Sequence, residues 1–135
     1  MPDRGQLSLS IVEAAVGVVF ILAVTAGFAL GVPAADTETP QLNAYAEDAA
    51  TVLASEPPRH AGETRLSEVT RSADAFDRER DALEQRVDRI LADNLMYRVG
   101  TPHGAVGYER PAGAPTGRAT VPTPNGEVIV WVWYV

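Results

Sequence analysis

The chain has 135 residues, of which 18 are acidic and 11 are basic, and its formal charge is −7. Every basic residue is arginine, and cysteine is absent. The length suits one modest domain, the lack of cysteine excludes disulfides and thiolate metal sites, and the acidic excess argues against a general nucleic-acid-binding protein.

An uncharged apolar segment near the N-terminus dominates the sequence. Residues 14–35 contain no charged side chain, and a helix of that length covers roughly 33 Å, enough to cross a bilayer. Arg4 precedes this segment, and Asp36 and Glu38 follow it. By the positive-inside rule we expect a single membrane span with residues 36–135 on the extracellular side.

The residues in front of the apolar segment carry a family resemblance. Arg4-Gly5-Gln6, followed by Leu7–Glu13 and the apolar tract, resembles the class III (prepilin) signal sequence of archaeal type IV pilin-like proteins, particularly those of haloarchaea. In that family a membrane peptidase cuts after the glycine of a basic–glycine pair, which implies a processing site at Arg4, Gly5 and Gln6. The resemblance further implies four kinds of partner: a prepilin peptidase, an assembly ATPase, a platform membrane protein and other pilin subunits.

Three interpretations of the N-terminal segment follow. A secretory signal peptide is removed downstream of its apolar stretch, a permanent anchor is kept whole, and a prepilin leader is cut upstream of it. The prepilin interpretation divides the chain into a leader at 1–5, an apolar transmembrane and assembly helix at 6–35, and an extracellular head at 36–135. Its alternative is a permanently anchored extracellular binding domain that does not polymerise.

Glu13 is a candidate assembly contact. It is the eighth residue after the expected cleavage point, whereas bacterial pilins usually have glutamate at the fifth, where this chain has Ser10. In a filament core Glu13 could pair with the terminal amine of a neighbouring subunit, because an unpaired carboxylate there costs on the order of several kcal/mol. At the lipid–water boundary it would be solvated instead.

Two helices are predicted beyond the apolar segment. Apolar residues at helical spacing predict a helix over residues 41–55, which ends at Pro57-Pro58. Residues 56–72 are polar and contain proline and glycine, which predicts a loop with one helical turn. Ser72 is the expected N-cap of a helix over residues 73–93, with one apolar stripe and one charged, solvated face.

The pattern after residue 94 changes to short β-type runs separated by turns. Asn125-Gly126 favours a tight turn between the last two strands. Pro122 either places the third strand at an edge of the sheet or ends it. The fold class is therefore α+β, with an N-terminal transmembrane helix followed by a small pilin-like head of helices and an antiparallel β meander. The predicted strands are Leu95–Val99, Ala105–Glu109, Arg118–Val121 and Val128–Val135.

The last predicted strand is apolar on both alternating faces. Such a strand must be covered on both sides, because an open apolar strand promotes aggregation. Helices would cover one side, and either the rest of the domain or a neighbouring subunit would cover the other. Trp131, Trp133 and Tyr134 are therefore candidate residues of a subunit interface.

The sequence contains no recognisable catalytic motif. Gly-x-Ser-x-Gly, His-Glu-x-x-His and Gly-x-x-x-x-Gly-Lys patterns are absent. His60 and His103 lie far apart in predicted loops and are interpreted as turn residues rather than metal ligands. We therefore expect no enzyme activity and no catalytic, cofactor or metal site.

The predicted function is that of a structural subunit, major or minor, of an archaeal type IV pilus-like surface filament or secretion system. The acidic, lysine-free composition suits high salt, where screening removes self-repulsion. We therefore expect the head to face the outside of a halophilic cell. A codon bias for arginine over lysine, with an ordinary acidic surface, is the alternative explanation of the same composition.

Overall fold

The computed structural model describes residues 3–31 and 37–135. The chain divides into two compact units, Met1–Asp36 and Thr37–Val135. Residues 1 and 2 of the expected leader and residues 32–35 of the expected apolar helix lie outside the described residues, so the bounds 1–5, 6–35 and 36–135 stay predictions.

The first unit contains α1, which runs from Asp3 to Ala29. Within it, Leu9–Ala29 forms a stretch of 21 residues that is long and apolar enough to cross a membrane, and none of that stretch is buried. A secretory signal sequence can share these properties. The structure thus confirms one apolar N-terminal helix of spanning length among the described residues.

The second unit contains α2 (Glu38–Ser55), α3 (Arg65–Val69) and α4 (Ala73–Ile90). α2 begins three residues before the predicted start, because a proline such as Pro40 is tolerated in the first helical turn, where no hydrogen bond to its nitrogen is needed. α3 is the helical turn predicted within residues 56–72. Ser72 caps α4 as predicted, by accepting a hydrogen bond from the Ala75 N–H at 3.0 Å.

Four antiparallel strands complete the head, and they form one sheet in the order β2-β1-β4-β3. The prediction of a simple meander is wrong, because β1 pairs with β4 and β2 does not pair with β3. The connection over residues 108–116 contains two prolines and is too long for a tight hairpin. The strands are β1 (Leu95–Thr101), β2 (Gly104–Gly107), β3 (Gly117–Thr123) and β4 (Gly126–Tyr134).

The central position of β4 follows from its composition. It is apolar on both faces and pairs with β1 on one side and with β3 on the other, so both of its edges are hydrogen-bonded. Pro122 lies on β3 at the sheet edge, as predicted. The β3–β4 turn also forms as predicted, although the positive φ falls at Gly126 alone, at 124°.

The core of the head lies between the helices and one face of the sheet. The alternate β4 residues Val128, Val130 and Val132 are fully buried. They belong to one apolar cluster with Leu42 of α2 and Leu83 of α4. This packing places α3 and the start of α4 beside the loop that joins α2 to α3.

Candidate functional site

The expected processing residues lie at the start of α1. The backbone of Arg4, Gly5 and Gln6 is helical, and their side chains are outside the described part of the structure. Glu13 is exposed and lies four residues inside the candidate span that starts at Leu9. Its two alternatives, an assembly contact and a solvated residue at the lipid boundary, stay predictions.

Between Leu9 and Phe28 the surface of α1 is apolar apart from Ser10, Glu13 and Thr25. Its large apolar side chains between Leu9 and Phe28 are exposed, from 45% for Val24 to 85% for Phe28. Monomeric soluble proteins rarely expose contiguous apolar patches larger than a few hundred Å². A helix of this kind is stable when lipid or other apolar helices surround it.

The three candidate interface residues of β4 differ in exposure. Trp133 is only 3% exposed within the single chain, whereas Trp131 and Tyr134 are partly exposed. The guanidinium carbon of Arg110 lies 5.2 Å from the centre of the Trp131 ring, and the ring lies across Gly100. The chain itself thus covers much of the outer face of β4, and subunit contact through these residues stays a prediction.

A group of buried charges joins the loop before α3 to both α3 and α4. Glu68 on α3 and Glu79 on α4 are each 1% exposed. The Nδ1 atom of His60 lies 2.7 Å from Glu79 Oε1 and 3.2 Å from Glu68 Oε1. The His60 side chain is 61% exposed, so the two carboxylates lie beneath a histidine that faces solvent.

The His60 backbone N–H also donates to Glu68 Oε1 at 3.2 Å, and the other contacts involve the second oxygen of each carboxylate. Glu68 Oε2 accepts hydrogen bonds from the backbone N–H groups of Arg59, His60 and Ala61 at 2.8, 3.1 and 3.4 Å. Arg59 Nη1 lies 3.3 Å from Glu79 Oε2. Burial alone would raise the pKa of Glu68, but the hydrogen bonds from His60, Ala61 and Arg59 outweigh it and hold the pKa below the usual value of a glutamate. Glu68 is therefore a carboxylate at neutral pH.

Three other polar contacts tie the elements of the head together. The Tyr97 hydroxyl donates to Asp88 Oδ1 at 2.8 Å, and burial together with Asp88 raises the Tyr97 pKa. Glu56 pairs with Arg65 at 3.1 Å and with Arg86. These contacts join β1 to α4 and the end of α2 to α3 and α4.

The buried charges were missed by the sequence interpretation. His60 was expected to be a turn residue, and neither Glu68 nor Glu79 was singled out. The available signal is the position of Glu79 in the apolar stripe of α4, three residues after Phe76 and four before Leu83. His103, the other histidine, lies in the β1–β2 turn as expected, with Nε2 3.1 Å from the Thr70 carbonyl oxygen.

These features define a small α+β protein with one exposed apolar N-terminal helix. The chain belongs to DUF7262, a family of unknown function whose model matches residues 3–134. No curated protein and no solved structure matches the chain. The family description assigns no activity.

Proposed function

We propose that this protein is a pilin-like structural subunit, major or accessory, of an archaeal type IV pilus-like filament or secretion system. It is processed after Gly5 and assembled through its apolar N-terminal helix. The observation that carries the proposal is a helical stretch of spanning length with no buried residue between Leu9 and Ala29, which begins three residues after Gln6. The proposal requires a prepilin peptidase, an assembly ATPase, a platform membrane protein and other subunits.

The separation of the apolar helix from the head core supports this function. The apolar core cluster lies wholly in the second unit, from Leu42 to Val132. The exposed surface of α1 is therefore available first to lipid and then to the helices of neighbouring subunits. In a filament, close packing between helices would replace the lipid contacts of α1. The apolar core of the head would not have to change.

The position of the charges supports an extracellular head. Arg4 is the one basic residue before the apolar segment, and the remaining ten arginines and most acidic residues follow it. When the precursor inserts, Arg4 stays on the cytoplasmic side, and the acidic head therefore lies on the opposite side of the membrane. There, an acidic, lysine-free surface suits a medium of high ionic strength.

The N-terminus of the mature protein tests the processing step. We expect mass spectrometry of the chain from native membranes to find Gln6 as the first residue. Gly5→Val should retain residues 1–5 and still insert into the membrane, because a side chain at this position blocks the close approach of the peptidase to the backbone. Gly17→Val is the matched control, since Gly17 has open space around it and lies away from the cleavage point.

Other N-termini would contradict the proposal. A mature chain that starts at Met1 or Pro2 would indicate a permanently anchored binding domain, and one that starts near Ala35 would indicate a released secreted domain. Assembly is tested separately, by searching for the processed chain in filaments sheared from the cell surface.

A further inference from the structure

We propose that His60, Glu68 and Glu79 bind one divalent transition-metal cation, for which Zn²⁺ is the probe. The ligand atoms are His60 Nδ1, Glu68 Oε1 and Glu79 Oε1. This inference rests on the geometry of the head alone and does not depend on filament assembly.

The spacing of the three atoms suits a metal ion. All three lie within 4.8 Å of one another, and Nδ1 is 2.7 and 3.2 Å from the two carboxylate oxygens. Bonds of about 2.0–2.2 Å to zinc separate neighbouring ligand atoms by roughly 3–3.5 Å. A cation between the three atoms therefore requires only small side-chain movements.

The contacts around the ligands already hold them in place. Arg59 and Ala61 donate backbone hydrogen bonds to Glu68 Oε2, and the Arg59 guanidinium contacts Glu79 Oε2. Each carboxylate thus keeps its Oε1 atom beside His60 Nδ1 while the protein holds the other oxygen. Glu68 Oε1 also accepts a hydrogen bond from the His60 backbone N–H at 3.2 Å, which it would share with the cation. Outer contacts of this kind orient ligands in protein metal sites and support their affinity.

A metal ion satisfies this arrangement better than a proton does. A single N–H at His60 Nδ1 can point well at only one acceptor, but two buried carboxylate oxygens lie close to that nitrogen. A divalent cation would bind all three atoms and balance both carboxylate charges, while Arg59, whose side chain is 47% exposed, is partly solvated. Buried carboxylates need hydrogen bonds or cations to offset the cost of burial, and a metal ion would add to the hydrogen bonds that Glu68 already accepts.

The site is also accessible, and its donors favour particular metals. The exposed His60 side chain leaves one side open to solvent, which gives a path for entry and room for water ligands. Imidazole nitrogen suits zinc and related transition metals, whereas Ca²⁺ and Mg²⁺ take oxygen ligands. One imidazole with two carboxylates therefore favours Zn²⁺ over Ca²⁺ and Mg²⁺.

Titration of the metal-free, untagged full chain in detergent micelles tests the site. We expect calorimetry with ZnCl₂ to give one zinc ion per chain. At a zinc concentration about 100 times the Kd, the Tm of the head should rise by about 10 °C or more. Ca²⁺ or Mg²⁺ at the same concentration should raise the Tm less than Zn²⁺ does.

Two histidine variants give a matched comparison. His60→Ala removes an exposed ligand and should weaken zinc binding by about tenfold or more, whereas His103→Ala should bind zinc like the wild type. Glu79→Gln should also weaken zinc binding. If the Glu79→Gln variant does not fold, the test of the site rests on His60→Ala.

The proposal is overturned if the wild type shows no zinc-dependent Tm shift. Equal binding by the wild type and His60→Ala would also overturn it, since that result indicates only binding to acidic surface residues.

Discussion

At the residue scale, Gly117 of β3 lies directly against the backbone of α2. A Cβ atom at this position would lie 2.1 Å from the carbonyl carbon and oxygen of Leu42 and 2.5 Å from the nitrogen of Asn43. The next residue, Arg118, donates its backbone N–H to Asn43 Oδ1 at 2.9 Å. The start of β3 is thus held against the backbone of α2, where no side chain can move aside.

Gly117→Ala is therefore expected to destabilise the head. The cost should be at least about 1–3 kcal/mol, because overpacking against backbone forces the helix and strand apart. Urea denaturation of the full chain in micelles measures this change. Thr120→Ala, at an exposed position of the same strand, should change the free energy of unfolding by less than about 1 kcal/mol. Equal stability of Gly117→Ala and the wild type would contradict the close α2–β3 contact.

The charged group around His60 shows why part of the candidate site escaped sequence analysis. Charged residues are rarely fully buried, so a pattern-based interpretation assigns them to solvent. The carboxylate of Glu79 contacts His60, although the two residues lie 19 positions apart in the sequence. That meeting depends on how the loop before α3 folds back onto α4, which local spacing does not encode. The N-terminal apolar segment, by contrast, was predictable because its signal is local and continuous.

At the element scale, local signals predicted most helices and strands but not the order of the strands. The Ser72 cap, the alternating apolar residues and the turn at Asn125-Gly126 all act within a few residues of their positions, and each was predicted. The pairing of β1 with β4 brings together residues such as Leu95 and Tyr134. Such long-range pairing is determined by the packing of the whole head, so sequence periodicity predicted the strands without their order.

The two tryptophans of β4 allow a comparison within one element. Trp133→Ala should cost about 3–5 kcal/mol of unfolding free energy, because the ring is almost fully buried. Trp131→Ala should cost less, since its ring is partly exposed. If β4 also forms a subunit interface, Trp131→Ala should reduce filament yield while the head remains folded. Denaturation measures the loss of head stability in both variants, and filament yield measures the loss of a subunit contact. Equal destabilisation by the two substitutions would contradict the different burial of the two rings.

At the scale of the whole molecule, the chain combines an apolar helix with an acidic head. The two units have different surroundings: α1 exposes apolar side chains along its described length, whereas the head encloses its own core. The formal charge of −7 produces repulsion that salt screens over about 10 Å at 0.1 M and about 3 Å at 1 M. An acidic head that encloses its own core is therefore expected to be more stable in a medium of high ionic strength.

A fragment of residues 37–135 is therefore expected to fold without α1. It contains every described residue of the apolar core cluster, from Leu42 to Val132, and it begins just before α2. We expect a soluble monomer that unfolds cooperatively, with a Tm within a few degrees of that of the full chain in micelles and higher in 1 M than in 0.1 M KCl. Near-ultraviolet circular dichroism of Trp131 and Trp133 provides the measure of fixed packing. A fragment that lacks this signal and unfolds without a cooperative transition would show that the head needs α1 for its fold. In that case α1 could not leave the lipid and join a bundle of subunit helices without affecting the head.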